Sequence, residues 1–434
     1  MLVAKYDRVI VKTQNNRIVL LTGNHPCCNP RAVKEADALT EAGNEVTIVG
    51  GAFLPELNAR DQKILRSKDW RYRKAFDLTC GGPGPFLLKL QRRLGQLAWQ
   101  KLGLANRWQL FYGTGRLLKA ALEIDADLTI AHWDPALPAT VELMRRGKRV
   151  GVDMEDWFSE DLLPEARRER PIRLLKQLEK NLLCHGVHST CTSEAMADAL
   201  VEAYGCRRPT VVRNVFPLKD RETIDGKWKD RPGMAKWMPR NDPEAVRPKE
   251  APVSMHWFSQ TIGPGRGLET LFQALDGLEG NWEVHLRGNL KGYEKWLEGV
   301  CPPSVRERLK VHGLVENEEL LSRIVEHDIG YAGELGEPPS RNLTITNKFF
   351  QYLQAGLAVV ASDTAGQIEG AFEAEEAVGV FKVGNELDLR ERMAELIRNR
   401  TLLEKKRGYS WAAGVNLSWE NEKTKISNIL KKKE

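Results

Sequence analysis

Val253–Leu275, VSMHWFSQTIGPGRGLETLFQAL, passes from an apolar and aromatic run through a turn holding Gly263, Gly265 and Gly267 into a helical pattern starting at about Leu268. Strand, glycine-rich turn and helix open a βαβ unit. A helix N-terminus preceded by glycines offers unpaired backbone N–H groups and the positive end of a dipole, and Arg266 adds a fixed charge with a planar fork. Phosphate suits that combination. A plain strand-to-helix turn needing glycine for its dihedrals accounts for the same residues, so this segment alone leaves both readings open. Neither a GxGxxG dinucleotide fingerprint nor a Walker A sequence is present.

The alternation continues downstream through EVHLRG (283–288), LKVHG (309–313), DIGYAG (328–333) and LAVVAS (357–362), each a short strand candidate separated by helical patterns. Upstream the same rhythm occupies the N-terminal half. RIVLLT (17–22) is a strand candidate, RAVKEADALTEAG a helix stopped by Gly43, and EVTIVGG (45–51) the returning strand. LTIAH (128–132), KRVGVDM (148–154), VHSTCT (187–192) and TVVRN (210–214) follow, with SEAMADALVEAYG a helix capped by Ser193 and stopped by Gly205. Residues 217–252 are charged and Pro-rich with little periodicity. The pattern predicts an α/β protein of two Rossmann-like domains, residues 1–216 and 253–410, joined by a linker or insertion at 217–252 and closed by a terminal helix at 411–434.

Composition narrows the function class. The 434 residues are 42% hydrophobic and 29% charged, and no apolar run approaches the roughly 18 residues of a membrane span. Met1–Asn16 lacks the sustained apolar core of a secretory signal, so a cytoplasmic protein is expected. Seven scattered cysteines without CxxC or a Cys/His cluster point to reduced thiols. The net charge of +6 is unevenly placed: no acid lies between Asp77 and Glu123, where Lys89, Arg92, Arg93, Lys101, Arg107, Arg116 and Lys119 all fall. Interleaved with Leu, Phe and Trp, residues 86–119 suit peripheral contact with the inner face of an anionic membrane, or a lipid-diphosphate acceptor. Packing of the apolar residues onto the N-terminal sheet, with the charges solvated, is the alternative. Without a nucleic-acid-binding fold the charge does not imply RNA or DNA.

A second segment, RNLTITNKFFQYLQAGLAVVASD (341–363), gathers Thr344, Thr346, Asn347 and Lys348 before a helix and a buried strand. Hydroxyls, an amide and a lysine at a helix N-terminus again suit a diphosphate, and Gln351 lies one turn on, within reach of a ribose hydroxyl. A capped amphipathic helix with Phe349, Phe350 and Leu353 as core is the structural alternative. TIGPGRGLETL and TNKFFQYLQAGLAVVASD, in this order and about 80 residues apart, resemble the donor half of retaining GT-B glycosyltransferases, specifically family 4 and its relatives. TIAHWDPALPATVELMRRGKRVGVDMEDWFSED and TGNHPCCNPRAVKEADALTEAGNEVTIVG resemble the family's cleft and opening regions, and SWENEKTKISNIL its final helix crossing back to the first domain.

The resemblance implies two domains facing a cleft and a retaining, metal-independent transfer of sugar from a UDP-, GDP- or ADP-linked donor to a glycan or lipid-linked acceptor, in cell-surface polysaccharide or glycoconjugate synthesis. It implies that Gly263, Gly265, Arg266, Gly267, Thr346, Asn347 and Lys348 hold the diphosphate, Thr344 and Gln351 the ribose or sugar. It also places His132 against the donor sugar, Asp134 and Glu155 in the cleft, and Gly23, Asn24 and His25 on the acceptor side. No metal or other cofactor is expected; Asp125 and Asp127 precede a strand of a doubly wound unit and are not read as a metal-binding DxD. One departure concerns the family's paired glutamates, E-x7-E: here their places hold Leu343 and Gln351. Glu334 and Glu337 stand nearby as substitutes. A GT-B epimerase or phosphorylase, or a catalytically silent nucleotide-sugar-binding scaffold, fits the same motifs.

Overall fold

The computed structural model describes residues 16–225 and 251–431. Two wholly parallel sheets organise it. The N-terminal sheet contains β1 (Arg17–Leu21), β2 (Glu45–Ala52), β3 (Arg71–Asp77), β4 (Leu128–His132), β5 (Val150–Met154), β6 (His188–Cys191) and β7 (Thr210–Val211), in the order β3-β2-β1-β4-β5-β6-β7. The C-terminal sheet contains β8 (Val253–Thr261), β9 (Trp282–Asn289), β10 (Leu309–His312), β11 (Ile329–Ala332), β12 (Ala358–Ser362) and β13 (Val378–Phe381), in the order β10-β9-β8-β11-β12-β13. Both orders reverse direction beside the first strand, which opens a crevice at the carboxyl ends of β1 and β4 and of β8 and β11.

Burial explains the strand sequences. β1 lies between β2 and β4 with helices on both faces, so Ile18, Val19, Leu20 and Leu21 are all buried and the run is continuously apolar. Each such side chain contributes about 1.5–3 kcal/mol by leaving water. β3 was not foreseen, because an edge strand reading RYRKAFD carries its charges outward and buries only Phe76. The Phe76 ring fits only because its neighbours are glycines: a Cβ would fall 2.1 Å from the ring at Gly51 and 2.3 Å at Gly113. The expected Ser193 cap forms, its Oγ accepting from Met196 N (3.0 Å), and Gly205 ends that helix at φ +63°.

The chain passes between domains at Pro217; Arg221 in the following short helix donates to Gln354 O (3.0 Å) in the C-terminal domain. Most of the charged, Pro-rich segment lies outside the described residues. The helix Arg400–Asn416 stays with the C-terminal domain, Arg407 donating to Asp328 (3.1 Å) and Gly356 O (3.2 Å). The return begins at Trp419, whose N–H reaches Phe216 O (3.0 Å), and the helix Trp419–Lys431 packs against the helix Pro30–Glu41. At this junction the Arg213 guanidinium meets Glu369 (2.9 Å) and Glu373 of the C-terminal domain and Glu422 (3.6 Å) of the returning helix.

The basic stretch forms the helices Pro83–Leu102, Arg107–Leu110 and Thr114–Ile124. Leu88, Leu110 and Leu117 pack inward, while Phe86 and Leu102 are 67% and 70% exposed and Leu87, Leu94 and Leu104 are exposed beside them. Among the described residues no helix is long and apolar enough to cross a membrane.

Candidate functional site

The C-terminal crevice is built from the two segments singled out above. Beyond β8 the chain turns at Gly265 (φ +70°) and Gly267 (φ +76°), where a side chain would be strained. Gly267 is further constrained, because a Cβ there would lie 2.1 Å from Gly333 O at the end of β11. Gly263 is less demanding; its added Cβ would touch the Tyr293 ring at 3.3 Å. Tyr331 Oη donates to Gly267 O (2.8 Å) and Arg341 Nη1 to Gly265 O (3.1 Å), so these carbonyls are satisfied from inside the protein. Gly267 caps the helix Leu268–Leu275, and Arg266, half-buried, donates to Ser259 Oγ (3.1 Å). Among the described residues no carboxylate pairs with Arg266.

Thr346 caps the helix Asn347–Ala355, and its hydroxyl bonds to Glu334 rather than to the helix's own amides. Lys348, in the first turn, reaches Glu334 (2.7 Å) and sits 5.8 Å from the centre of the Trp257 ring. Burial alone raises the Glu334 carboxyl, but the Lys348 charge and the bonds from Lys348 and Thr346 bring it below its ordinary value. Glu334 follows Gly333, the residue against which Gly267 is pressed, so Lys348 and the glycine-rich turn meet at one strand end. Asn347 is exposed, Thr344 is spent on Ser340 O (2.8 Å), and the buried Gln351 amide makes no hydrogen bond among the described residues. Of the two nearby acids, Glu334 meets the lysine and Glu337 is exposed.

The N-terminal candidates separate into enclosed and open groups. His132 was expected to touch the donor sugar; instead it is 1% exposed, with Nε2 3.1 Å from Glu35 and Nδ1 3.4 Å from Asp153. Burial disfavours its charge, but the two carboxylates prevail and push it up to about 10. Arg31 grips both Asp153 oxygens (2.6 and 2.8 Å). Although burial raises Asp153, Arg31 and His132 hold it far below the usual carboxylate range. Glu35, His132 and Asp153 bring ligand atoms within 4.8 Å of one another, but Arg31 and the His132 charge already occupy them. His25 is similarly enclosed: Nε2 accepts from Phe53 N (2.9 Å) and Leu54 N (3.2 Å), leaving Nδ1 to face Asp61 (2.6 Å). Asn24 Oδ1 accepts from His25 N (2.7 Å), and Gly23, at φ +71°, packs against Pro135. His132 and the Gly23–His25 loop therefore shape the floor rather than the surface of the cleft.

Asp134 and Glu155 lie nearer the opening. Asp134 pairs with Arg170 and lines a cavity of about 430 Å³. Glu155 is pushed up to about 7 by burial and the neighbouring Asp156. The sequence reading overlooked Asp156 and Asp161, which line the same cavity; burial, with Asp161 as the next contributor, pushes Asp156 up to about 7, and burial takes Asp161 to about 6. Their only advance sign was the density of acids between Asp153 and Asp161. Arg341, also overlooked, links the halves. Its loop is docked on the N-terminal domain, Trp157 N donating to Ser340 Oγ (3.0 Å) and Ser340 N to Glu160 O (3.2 Å). Its charge bears on Asp156 and Asp161 while Nη1 holds the glycine-rich turn.

Two facing Rossmann-like domains with a returning C-terminal helix constitute the GT-B fold. Solved structures superpose along most of the chain. Sucrose-phosphate synthase from Thermosynechococcus elongatus superposes with a TM-score of 0.67 at 12% identity, covering 96% of this chain and 98% of that one. HepE from Anabaena in complex with UDP-glucose gives 0.65 at 15% identity, covering 96% and 99%. A structure assigned as a UDP-N-acetylglucosamine 2-epimerase from Listeria monocytogenes gives 0.52 at 12% identity, covering 93% and 95%. No protein-family model and no curated protein sequence matches the chain.

Proposed function

We propose that the chain is a retaining glycosyltransferase that takes a sugar from a nucleotide diphosphate to a glycan or lipid-linked acceptor hydroxyl, without a metal. The observation that carries this reading is the meeting of the Gly263–Gly267 turn, Arg266 and Lys348 at the crevice of the C-terminal sheet, opposite an acid-lined cavity. A departing diphosphate gains charge, and Arg266, Lys348 and the N-termini of Leu268–Leu275 and Asn347–Ala355 supply fixed positive potential where that charge develops. Lys348 exchanges Glu334 for the phosphate on binding. The acceptor attacks from the leaving-group face, which retains configuration and requires no covalent nucleophile. HepE bound to UDP-glucose, with the same fold, supports a UDP-sugar as the first donor to test.

The exposed apolar residues of the helix Pro83–Leu102, set among Lys89, Arg93 and Lys101, support peripheral docking on the cytoplasmic face of an anionic membrane. The Gln351 amide in place of a carboxylate favours one rival reading, a binding subunit without turnover.

The test is nucleotide binding and donor turnover by the full chain. Each of Arg266→Ala and Lys348→Ala removes a charge-assisted bond of about 1.5–3 kcal/mol, a loss of about 10- to 150-fold in UDP affinity by calorimetry. Unchanged affinity in both variants removes the site. Tight UDP binding by wild type with neither transfer nor slow hydrolysis of UDP-, GDP- or ADP-sugars selects the binding subunit.

A further inference from the structure

The 430 Å³ cavity beyond β4 and β5 lies within the size range of small-ligand sites, about 300–1,000 Å³. The helix Pro83–Leu102 contributes Trp99 to one wall, and Phe111, Trp133 and Phe158 supply further ring faces. Trp133 is held at φ +71° and ψ 153°, a region nearly closed to side-chain-bearing residues, with its ring 5.3 Å from Phe111. Such strain, of the order of 1–3 kcal/mol, persists where surrounding structure imposes it and gathers at ligand sites.

The polar lining carries acceptors that no described residue answers. Gln109 is 4% exposed; its Nε2 donates to Glu169 O (2.9 Å), while Oε1 has no partner. Asp156 and Asp161 accept no hydrogen bond from any described residue. Of the lining arginines, Arg170 meets Asp134 and Leu110 O (3.0 Å) with its Nε left unpartnered, and Arg92 meets Leu110 O (3.2 Å) and the Tyr112 ring, 4.7 Å from its centre. Free acceptors beside apolar ring faces are what a polyhydroxylated ring complements, its O–H groups donating and its C–H faces stacking. An anion there would confront the Asp156 and Asp161 carboxylates, to which no described residue donates a hydrogen bond.

We propose that this cavity is the acceptor subsite and takes an uncharged saccharide ring, whose hydroxyls donate to Asp156, Asp161 and Gln109 while its faces rest on the aromatic wall; phosphorylated and uronate rings are refused. Arg341 connects the two sides, its charge bearing on Asp156 and Asp161 while Nη1 donates to Gly265 O (3.1 Å). The assignment rests on the glycosyltransferase reading for its role, but not for its ligand chemistry.

The full chain, saturated with UDP, is titrated with methyl glycosides of glucose, galactose and mannose, and with glucuronic acid and glucose 6-phosphate, by saturation-transfer NMR. At least one neutral glycoside binds, and the two anions bind at least ten-fold more weakly. Asp156→Asn combined with Asp161→Asn, and separately Gln109→Leu, weaken the neutral glycoside at least ten-fold while UDP affinity, which reports the fold, stays within two-fold. Trp99→Ala, on an outer helix, repeats the test should the buried variants lose UDP. The proposal is overturned if no neutral glycoside binds, if the anions bind equally well, or if UDP-competent variants bind the glycoside unchanged. Glycoside binding without transfer from any sugar nucleotide overturns the transferase reading alone; donor hydrolysis without glycoside binding overturns the subsite alone.

Discussion

Asp153 and Asp156 stand three residues apart at the end of one strand, and their surroundings move them in opposite directions. Asp153 is enclosed by Arg31 and His132 and is held deeply ionised; Asp156 faces a cavity and is pushed up to about 7. The first belongs to a closed set, two cations against Glu35 and Asp153, in which every charge has a local answer. The second is open: no described residue donates a hydrogen bond to it. The difference separates a buried charge that builds a fold from one kept for a ligand, and it does so better than burial or residue type does.

The closed set should break hardest. Arg31→Ala strips Asp153 of the guanidinium that holds both its oxygens, and removal of one partner from a buried ion pair costs about 3–5 kcal/mol. Urea unfolding of that variant should show a loss of this size; a loss below 1 kcal/mol means the cluster is not closed. The His132 contribution has its own pH signature. Its folded value, about 10, lies above the ordinary 6.5, so its stabilisation is complete below pH 6.5 and is lost as pH rises toward 10. His132→Gln should therefore flatten the alkaline fall in stability between pH 7 and 10.

The open pair behaves in the opposite sense. Asp156 is raised by burial, so ionising it opposes folding increasingly as pH climbs from about 4 to 7. Asp156→Asn should raise the melting temperature at pH 8 by about 2–4 °C, the shift expected for each kcal/mol in a domain of this size. The gain should shrink on acidification toward pH 4, and a pH-independent gain would place Asp156 outside the cavity. Saccharide binding, which draws on the ionised acceptors, should weaken several-fold as pH falls from 8 to 5.5. The smallest effect on stability belongs to the outer helix: Leu94→Ser should change the unfolding free energy by less than about 0.5 kcal/mol. Its effect should appear in reduced sedimentation with anionic vesicles.

The proposed donor side is easier to read in the sequence than the proposed acceptor side for a physical reason. Gly263–Gly267 and Thr346–Lys348 are local devices, each a turn with its own helix, so their chemistry can be read within a dozen residues. β4 was expected at Leu128–His132 and is found there, because a strand buried on both faces has a continuous apolar signature. β3 lacks that signature, and β13, although it reads VGVF, is only four residues long. TVVRN was expected to be a five-residue strand but stays in the sheet only through Val211; Arg213 instead receives Glu422 at its N–H (2.8 Å). His132 ends β4 as expected, yet whether its ring meets a sugar or two carboxylates depends on Glu35, far away in the chain. Asp156 and Asp161 were overlooked because the residues that enclose them, from the helix Pro83–Leu102 to the Arg341 loop, lie far away in the chain.

Arg213 bears on how such a molecule moves. One guanidinium is shared by the N-terminal domain, which carries it, the C-terminal domain, through Glu369 and Glu373, and the returning helix, through Glu422. Any opening of the cleft that keeps these charges together must be a rotation whose axis passes close to this residue. Arg213 is then an axle: displacement is least beside it and grows with distance, so the same small angle that leaves the junction intact carries the glycine-rich turn and the aromatic-walled cavity apart.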